Sequence, residues 1–154
     1  MIMRVVLDTN ILARSSYRLE GPAAEVLERV TAPPHVLILS AASLEELARV
    51  LDYPRFRAFH KLSDEKIGEL IVKLQREALV LDPPADEGRV MNDPGDAAVV
   101  AAAVAGRANV ICTLDRHFYG DKVRGYCGER MIEIMDDVKL LGWLRQMEGA
   151  SGPS

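Results

Sequence analysis

Cysteine, histidine and aromatic residues are all scarce in this chain: 154 residues include two cysteines, three histidines and one tryptophan, and aromatics make up 5%. Cys112 sits in an apolar run and Cys127 in a glycine-flanked stretch read as a loop, without the close pairing of a zinc site or the density of a disulfide scaffold. Both read as ordinary thiols. Long apolar runs are missing too, since the longest, AAVVAAAVA at 97–105, is about half the length of a membrane-crossing helix. The N-terminus reaches Asp8 too soon for a signal peptide. The expectation is a soluble, cytoplasmic protein with no membrane contact. Positive charge is also short. With 19 Lys and Arg against 23 Asp and Glu, the net charge of -4 argues against a protein that grips nucleic acid by bulk electrostatics, which takes many cations facing phosphates. It does not exclude a phosphate held through metal ions. No GxSxG elbow, Cys-His pairing or GxxxxGK phosphate loop is present.

What is there suits an ordered core. Hydrophobic residues make up 49% and charged residues 27%, with no repeat or low-complexity tract. The length fits a single domain over residues 1–148, with the GASGPS stretch at 149–154 as a flexible tail. MRVVL (3–7), VLIL (36–39), ALVLD (78–82), NVICT (109–113) and MIEIM (131–135) read as five strands. Helices are expected over 21–32, after Ser43, briefly through FRAF, over 63–78, from Pro94 to the stop at Gly106, and around DVKLLGWLRQM. Ser43 with Glu46 three residues on fits a capping box, and Asp93 is a natural N-cap for the alanine-rich helix. Strands alternating with helices imply a three-layer α/β/α fold around a mostly parallel sheet, because parallel neighbours need long crossovers.

Acids recur where such strands end. In VVLDTN an apolar run stops on Asp8, and Asp115 follows the fourth strand in TLDRHF. Glu46 and Asp96 lie in the first turns of two helices. Asp8 either caps the next helix or stands in the crevice at the carboxyl ends of the strands, where open α/β sheets bind ligands. If the first and fourth strands are neighbours, Asp8 and Asp115 share that crevice. Four carboxylates there would repel one another, and hard divalent cations such as Mg²⁺ or Mn²⁺ relieve that cost through oxygen ligation.

The order VVLDTNIL, SxxSLEELxxVL, DPGDAAVVAAA, NVICTLDRHF resembles the PIN domain family, especially its bacterial toxin-like branch related to VapC, over residues 3 to about 135. The resemblance implies a PIN-like three-layer fold of about five strands and a metal-dependent endoribonuclease, the toxin of a toxin-antitoxin pair, with RNA as substrate, an antitoxin partner and a homodimer. Position by position it makes Asp8, Glu46, Asp96 and Asp115 the catalytic, metal-binding acids, Glu45 being the alternative if the register slips by one. Thr9, Asn10, Ser40, Asp93 and Thr113 would orient them. The sequence departs from many VapC-like toxins after the fourth strand, where Asp115 is followed by His117 and Phe118.

In YPRFRAFHKL (53–62), Arg55, Arg57 and Lys61 are candidate phosphate contacts, together with Arg116 and His117 near the acids. The spacing of Phe56 and Phe59 first suggests a buried helix face. Two other readings are a PIN-fold nucleic-acid-binding or regulatory module that does not cut, and a Mg²⁺-dependent phosphotransfer domain. The second usually shows DxD where this chain has Asp8, Thr9, Asn10.

Overall fold

The computed structural model describes residues 2–84 and 90–150. Five strands, β1 (Arg4–Leu7), β2 (Val36–Ser40), β3 (Ala78–Leu81), β4 (Val110–Cys112) and β5 (Glu133–Met135), form one sheet in the order β3-β2-β1-β4-β5. All four pairings are parallel, so the sheet is wholly rather than mostly parallel. The chain builds β2 and β3 on one side of β1 and then crosses to add β4 and β5 on the other. The switch point therefore lies between the carboxyl ends of β1 and β4, where open α/β sheets leave a crevice.

The helices are α1 (Thr9–Tyr17), α2 (Pro22–Thr31), α3 (Ala41–Asp52), α4 (Pro54–His60), α5 (Asp64–Glu77), α6 (Pro94–Ala105), α7 (Asp121–Gly128) and α8 (Asp137–Ala150), with a 3-10 turn over Arg116–Tyr119. Alternate strand residues point to opposite faces. Val5, Leu7, Leu37, Leu39 and Cys112 pack under α1, α2, α3, α5 and α8. Val6, Ile38 and Ile111 pack with Val99, Ala103, Phe118 and Val123 of α6, the 3-10 turn and α7. Burial on both faces explains why the strands are near-continuous apolar runs.

Several local expectations are corrected. α1 and α7 are helices that periodicity did not announce: in α1 the hydroxyls of Ser15 and Ser16 bond back to the carbonyls of Leu12 and Ala13. α7 contains Gly125 and Gly128 and is held by burying Val123 and Cys127, so Cys127 lies in a helix and not in a loop. α3 begins two residues before Ser43, because Ser40 is the N-cap and its hydroxyl accepts from the Ser43 amide. Ser43 with Glu46 is thus no capping box. α4 has no buried residue, so Phe56 and Phe59 do not form a buried face. α8 takes in the first two residues of the expected tail, and 151–154 lie outside the described residues, as does 85–89 of the connection before α6.

Candidate functional site

β1 and α1 are joined by Asp8, whose side chain caps α1 by accepting from the Thr9 amide at 2.8 Å. Its backbone amide donates to the Cys112 carbonyl at 3.0 Å, tying the end of β1 to that of β4. The second Asp8 oxygen accepts from the Thr113 hydroxyl at 2.7 Å and from the Asn10 amide at 3.2 Å. Capping and a place in the crevice are therefore compatible, because a parallel strand that feeds a helix puts the cap residue at the sheet's carboxyl edge.

The other acids gather around it. Thr9 Oγ1 donates to Glu46 Oε2 at 3.1 Å, which brings the second turn of α3 against the first of α1. That bond is made by Glu46 and not by Glu45, although both residues are exposed, and it places the Glu46 carboxylate beside Thr9. A Cβ on Gly95 would lie 3.9 Å from Glu46 Oε2 and 3.1 Å from Asp93 Oδ1, so α3 and the start of α6 meet closely there. Asp93 accepts from the Asp96 amide at 3.0 Å as the N-cap of α6. Asp115 caps the 3-10 turn by accepting from the His117 amide at 2.9 Å, and its own amide donates to Thr113 Oγ1 at 3.0 Å. Four elements thus bring Asp8, Glu46, Asp96 and Asp115 to one place.

Burial and mutual repulsion are visible in the proton affinities of Asp8 and Asp96. Burial pushes the Asp8 carboxyl above its usual range; the Thr113 and Thr9 bonds oppose this, and the charges of Glu46 and Asp115 add to it. Asp96 is pushed up to about 7, first by burial and then by the charges of Asp115, Asp93 and Asp8, with His117 opposing. Among the described residues no Lys or Arg pairs with these four acids; only His117 Nδ1 approaches, 3.0 Å from Asp115 Oδ1.

The donor set fits a divalent cation. Asp96, Asp115 and His117 each offer a ligand atom, all within 4.8 Å of one another, and Asp8 and Glu46 adjoin them with oxygen donors of the kind Mg²⁺ and Mn²⁺ take.

Of the proposed supports, Thr9, Asn10 and Thr113 bond to the acids or to one another, and Asn10 Oδ1 also accepts from the Leu114 amide at 3.1 Å. Asp93 acts through the α6 cap. Ser40 bonds to Ser43 Oγ at 2.8 Å and not to a carboxylate: it sets where α3 begins. Arg116 and His117 are exposed at the rim of the site. Arg55, Arg57 and Lys61 are elsewhere, on α4 and its end, and Arg57 is bound to Asp52 at 2.7 Å and to Asp64. Tyr119 was not anticipated. Its hydroxyl donates to the Thr113 carbonyl at 2.7 Å and bridges the strand end to the 3-10 turn; burial and nearby acids push its own proton affinity up to about 12. Its position six residues after Thr113 gave no signal in the sequence.

An open, all-parallel α/β domain with a carboxylate cluster at its switch point defines the class. Residues 4–117 match the PIN domain, and the chain belongs to the PIN domain family. The fold is similar to that of VapBC2 from Rickettsia felis bound to a DNA fragment from its promoter, at a TM-score of 0.60 and 15% identity over 86% of this chain and 98% of that one. It is also similar to VapBC-1 from nontypeable Haemophilus influenzae, at 0.54 and 18% over 88% and 99%. A comparison with curated protein sequences gives no match. No helix among the described residues is long and apolar enough to cross a membrane.

Proposed function

We propose that this protein is a Mg²⁺- or Mn²⁺-dependent endoribonuclease, the toxin of a toxin-antitoxin pair. The observation that carries the reading is the meeting of Asp8, Glu46, Asp96 and Asp115 at the switch point, where no Lys or Arg among the described residues pairs with them. The VapBC assemblies with the same fold support an antitoxin partner. A homodimer, a cytoplasmic location and a single domain over 1–148 complete the proposal.

The four acids, with His117 beside them, would hold the cation, which when bound neutralises the scissile phosphate and lowers the pKa of water. Asp8 is oriented from two sides by Thr9 and by the Thr113–Asn10 pair, so its carboxylate meets the crevice in one pose. Asp96 holds its proton up to about pH 7 when the cluster lacks a cation, because burial first, and then the charges of Asp115, Asp93 and Asp8, disfavour its ionised form. Arg116, exposed at the rim, would meet RNA phosphate, and His117 would do so from its place beside Asp115.

The test is a mixed RNA pool incubated with purified protein, with Mn²⁺ or with EDTA, beside Asp96→Asn. Cleavage is expected only for the wild type with metal. Cleavage that persists in EDTA or in the variant overturns the site; no cleavage of any RNA favours a PIN-fold binding module that does not cut.

A further inference from the structure

α4 carries its rings outward. Phe59 is 66% exposed and Tyr53, at the end of α3, is 48% exposed, a costly display of aromatic surface. The rings form one cluster. Tyr17 of α1 stacks on Phe56 at 6.4 Å and meets the edge of Phe59 at 5.2 Å, while Phe56 and Tyr53 are 6.4 Å apart.

The cluster lies at the far end of the two helices that begin at the acids. On α1, Asn10, Arg14 and Tyr17 follow one another at i, i+4 and i+7; on α3, Glu46, Arg49 and Tyr53 follow at i, i+3 and i+7. Seven helical residues span about 10 Å, so two parallel stripes run from the carboxylates past arginines to the rings. Charge along this path opposes that of the whole molecule. Residues 49–61 contain Arg49, Arg55, Arg57 and Lys61; Arg57 is taken up by Asp52 and by Asp64 of α5, which leaves Arg49, Arg55 and Lys61 to carry the positive charge in a chain of net charge -4. Arg55 lies 5.5 Å over the Phe56 ring, and Arg14, Arg49 and Lys61 form no ion pair among the described residues.

We propose that the Tyr17–Tyr53–Phe56–Phe59 cluster is a base-stacking platform for single-stranded RNA, which runs from the acidic crevice along α1 and α3 to the rings. The inference rests on the ribonuclease reading and adds how substrate is held. Cations alone would suit any phosphate chain, and rings alone any apolar partner; exposed rings interleaved with cations suit a single strand, whose bases stack while its phosphates are paired. A duplex, with its bases already stacked, gains nothing here. The platform also separates the two tasks, with the acids meeting the scissile phosphate and the rings taking unpaired bases beside it.

The experiment measures binding of short RNAs to Asp96→Asn protein and to the same protein carrying Tyr53→Ala and Phe59→Ala, with 2-aminopurine placed at successive positions of the strand. Each ring removed is expected to weaken single-strand affinity about tenfold. Quenching of 2-aminopurine at one position, lost in Phe59→Ala and restored in Phe59→Trp, is a signature that a merely structural role would not produce. Both side chains are exposed, and a thermal melt checks that the fold is kept. Unchanged affinity and quenching in the alanine variants overturn the platform and assign the rings to a protein partner; equal binding of duplex also overturns it. Wild-type cleavage of the same strands is scored separately. RNA that is cut while the alanine variants bind normally removes the platform alone, and RNA neither cut nor bound removes both readings.

Discussion

Thr113 shows how much one hydroxyl can organise. It donates to Asp8, accepts from the Asp115 amide and lies 3.3 Å from the Asn10 amide, so one oxygen joins two acids and their common support. Thr113→Val keeps the shape and strands these groups in a buried place; a loss of about 1–3 kcal/mol of stability is expected. Weakening of Mn²⁺ binding by about 10- to 100-fold should accompany it, because supports of ligating carboxylates have effects of that size. Calorimetric titration with Mn²⁺ and urea melts check both, and wild-type values in the variant would remove Thr113 from the site. Asp96 sets a second test, through pH. Its ordinary value is 3.8 and folding raises it to about 7, so the folded state binds the extra proton between those limits and metal-free stability falls as pH rises through them. Above about 7 this contribution is flat. Glu25 acts in another window: Arg145, and then Arg29, hold it at about 2, so its contribution is full above the ordinary carboxylate value of 4.5 and is lost as pH falls from there towards 2. Asp96→Asn should therefore be more stable than wild type at pH 7.5 in EDTA and similar to it at pH 4, as denaturant melts across pH would show. An unchanged slope would mean that Asp96 is not the strained member. The residue types and order of the acids were legible in the sequence, because strand ends and helix starts announce themselves. The bond from Thr9 that picks Glu46 over Glu45 was not, since it joins residues 37 apart.

At the scale of elements, the end of α6 separates two roles that Gly106 alone was expected to fill. The glycine is in right-handed geometry, and the left-handed residue is Arg107, with φ 54°. The Arg107 amide donates to Val104 and that of Ala108 to Ala103, which closes the helix in a Schellman arrangement. Gly106 is required for space: a Cβ there would lie 2.9 Å from Ile38 Cδ1 and 3.0 Å from the Ala102 carbonyl. Gly106→Ala should cost about 1–3 kcal/mol by overpacking. Arg107→Gly should stabilise by up to about 1 kcal/mol by removing left-handed strain from an exposed position. Thermal melts of the pair check the assignment, and a reversal of the two signs would refute it. Elements with strong periodicity and caps, such as α5 and α6, were readable in advance. α1 and α7 were not, because nine residues with two serines, or eight with two glycines, carry little intrinsic helical signal and are held by the core they cover.

For the whole molecule, the parallel sheet follows from apolar runs separated by helices, but the strand order does not. It is the order that puts β1 between β2 and β4 and so lets acids at positions 8 and 115 share a crevice. A cation bound there by the folded state alone should stabilise the entire domain, by about 2.7 kcal/mol at a hundredfold excess over its dissociation constant. The expected result is a melting temperature that rises with Mn²⁺ in wild type and stays fixed in Asp96→Asn; equal shifts in both would place the ion elsewhere.

The central position of β1 has a further consequence in time. Its edge facing β4 cannot be paired until residue 110 has been made, and Asp115 comes after that. A growing chain on the ribosome can assemble β1, β2 and β3 with their helices, yet the acid cluster remains incomplete until β4 has docked against β1 and Asp115 has emerged behind it.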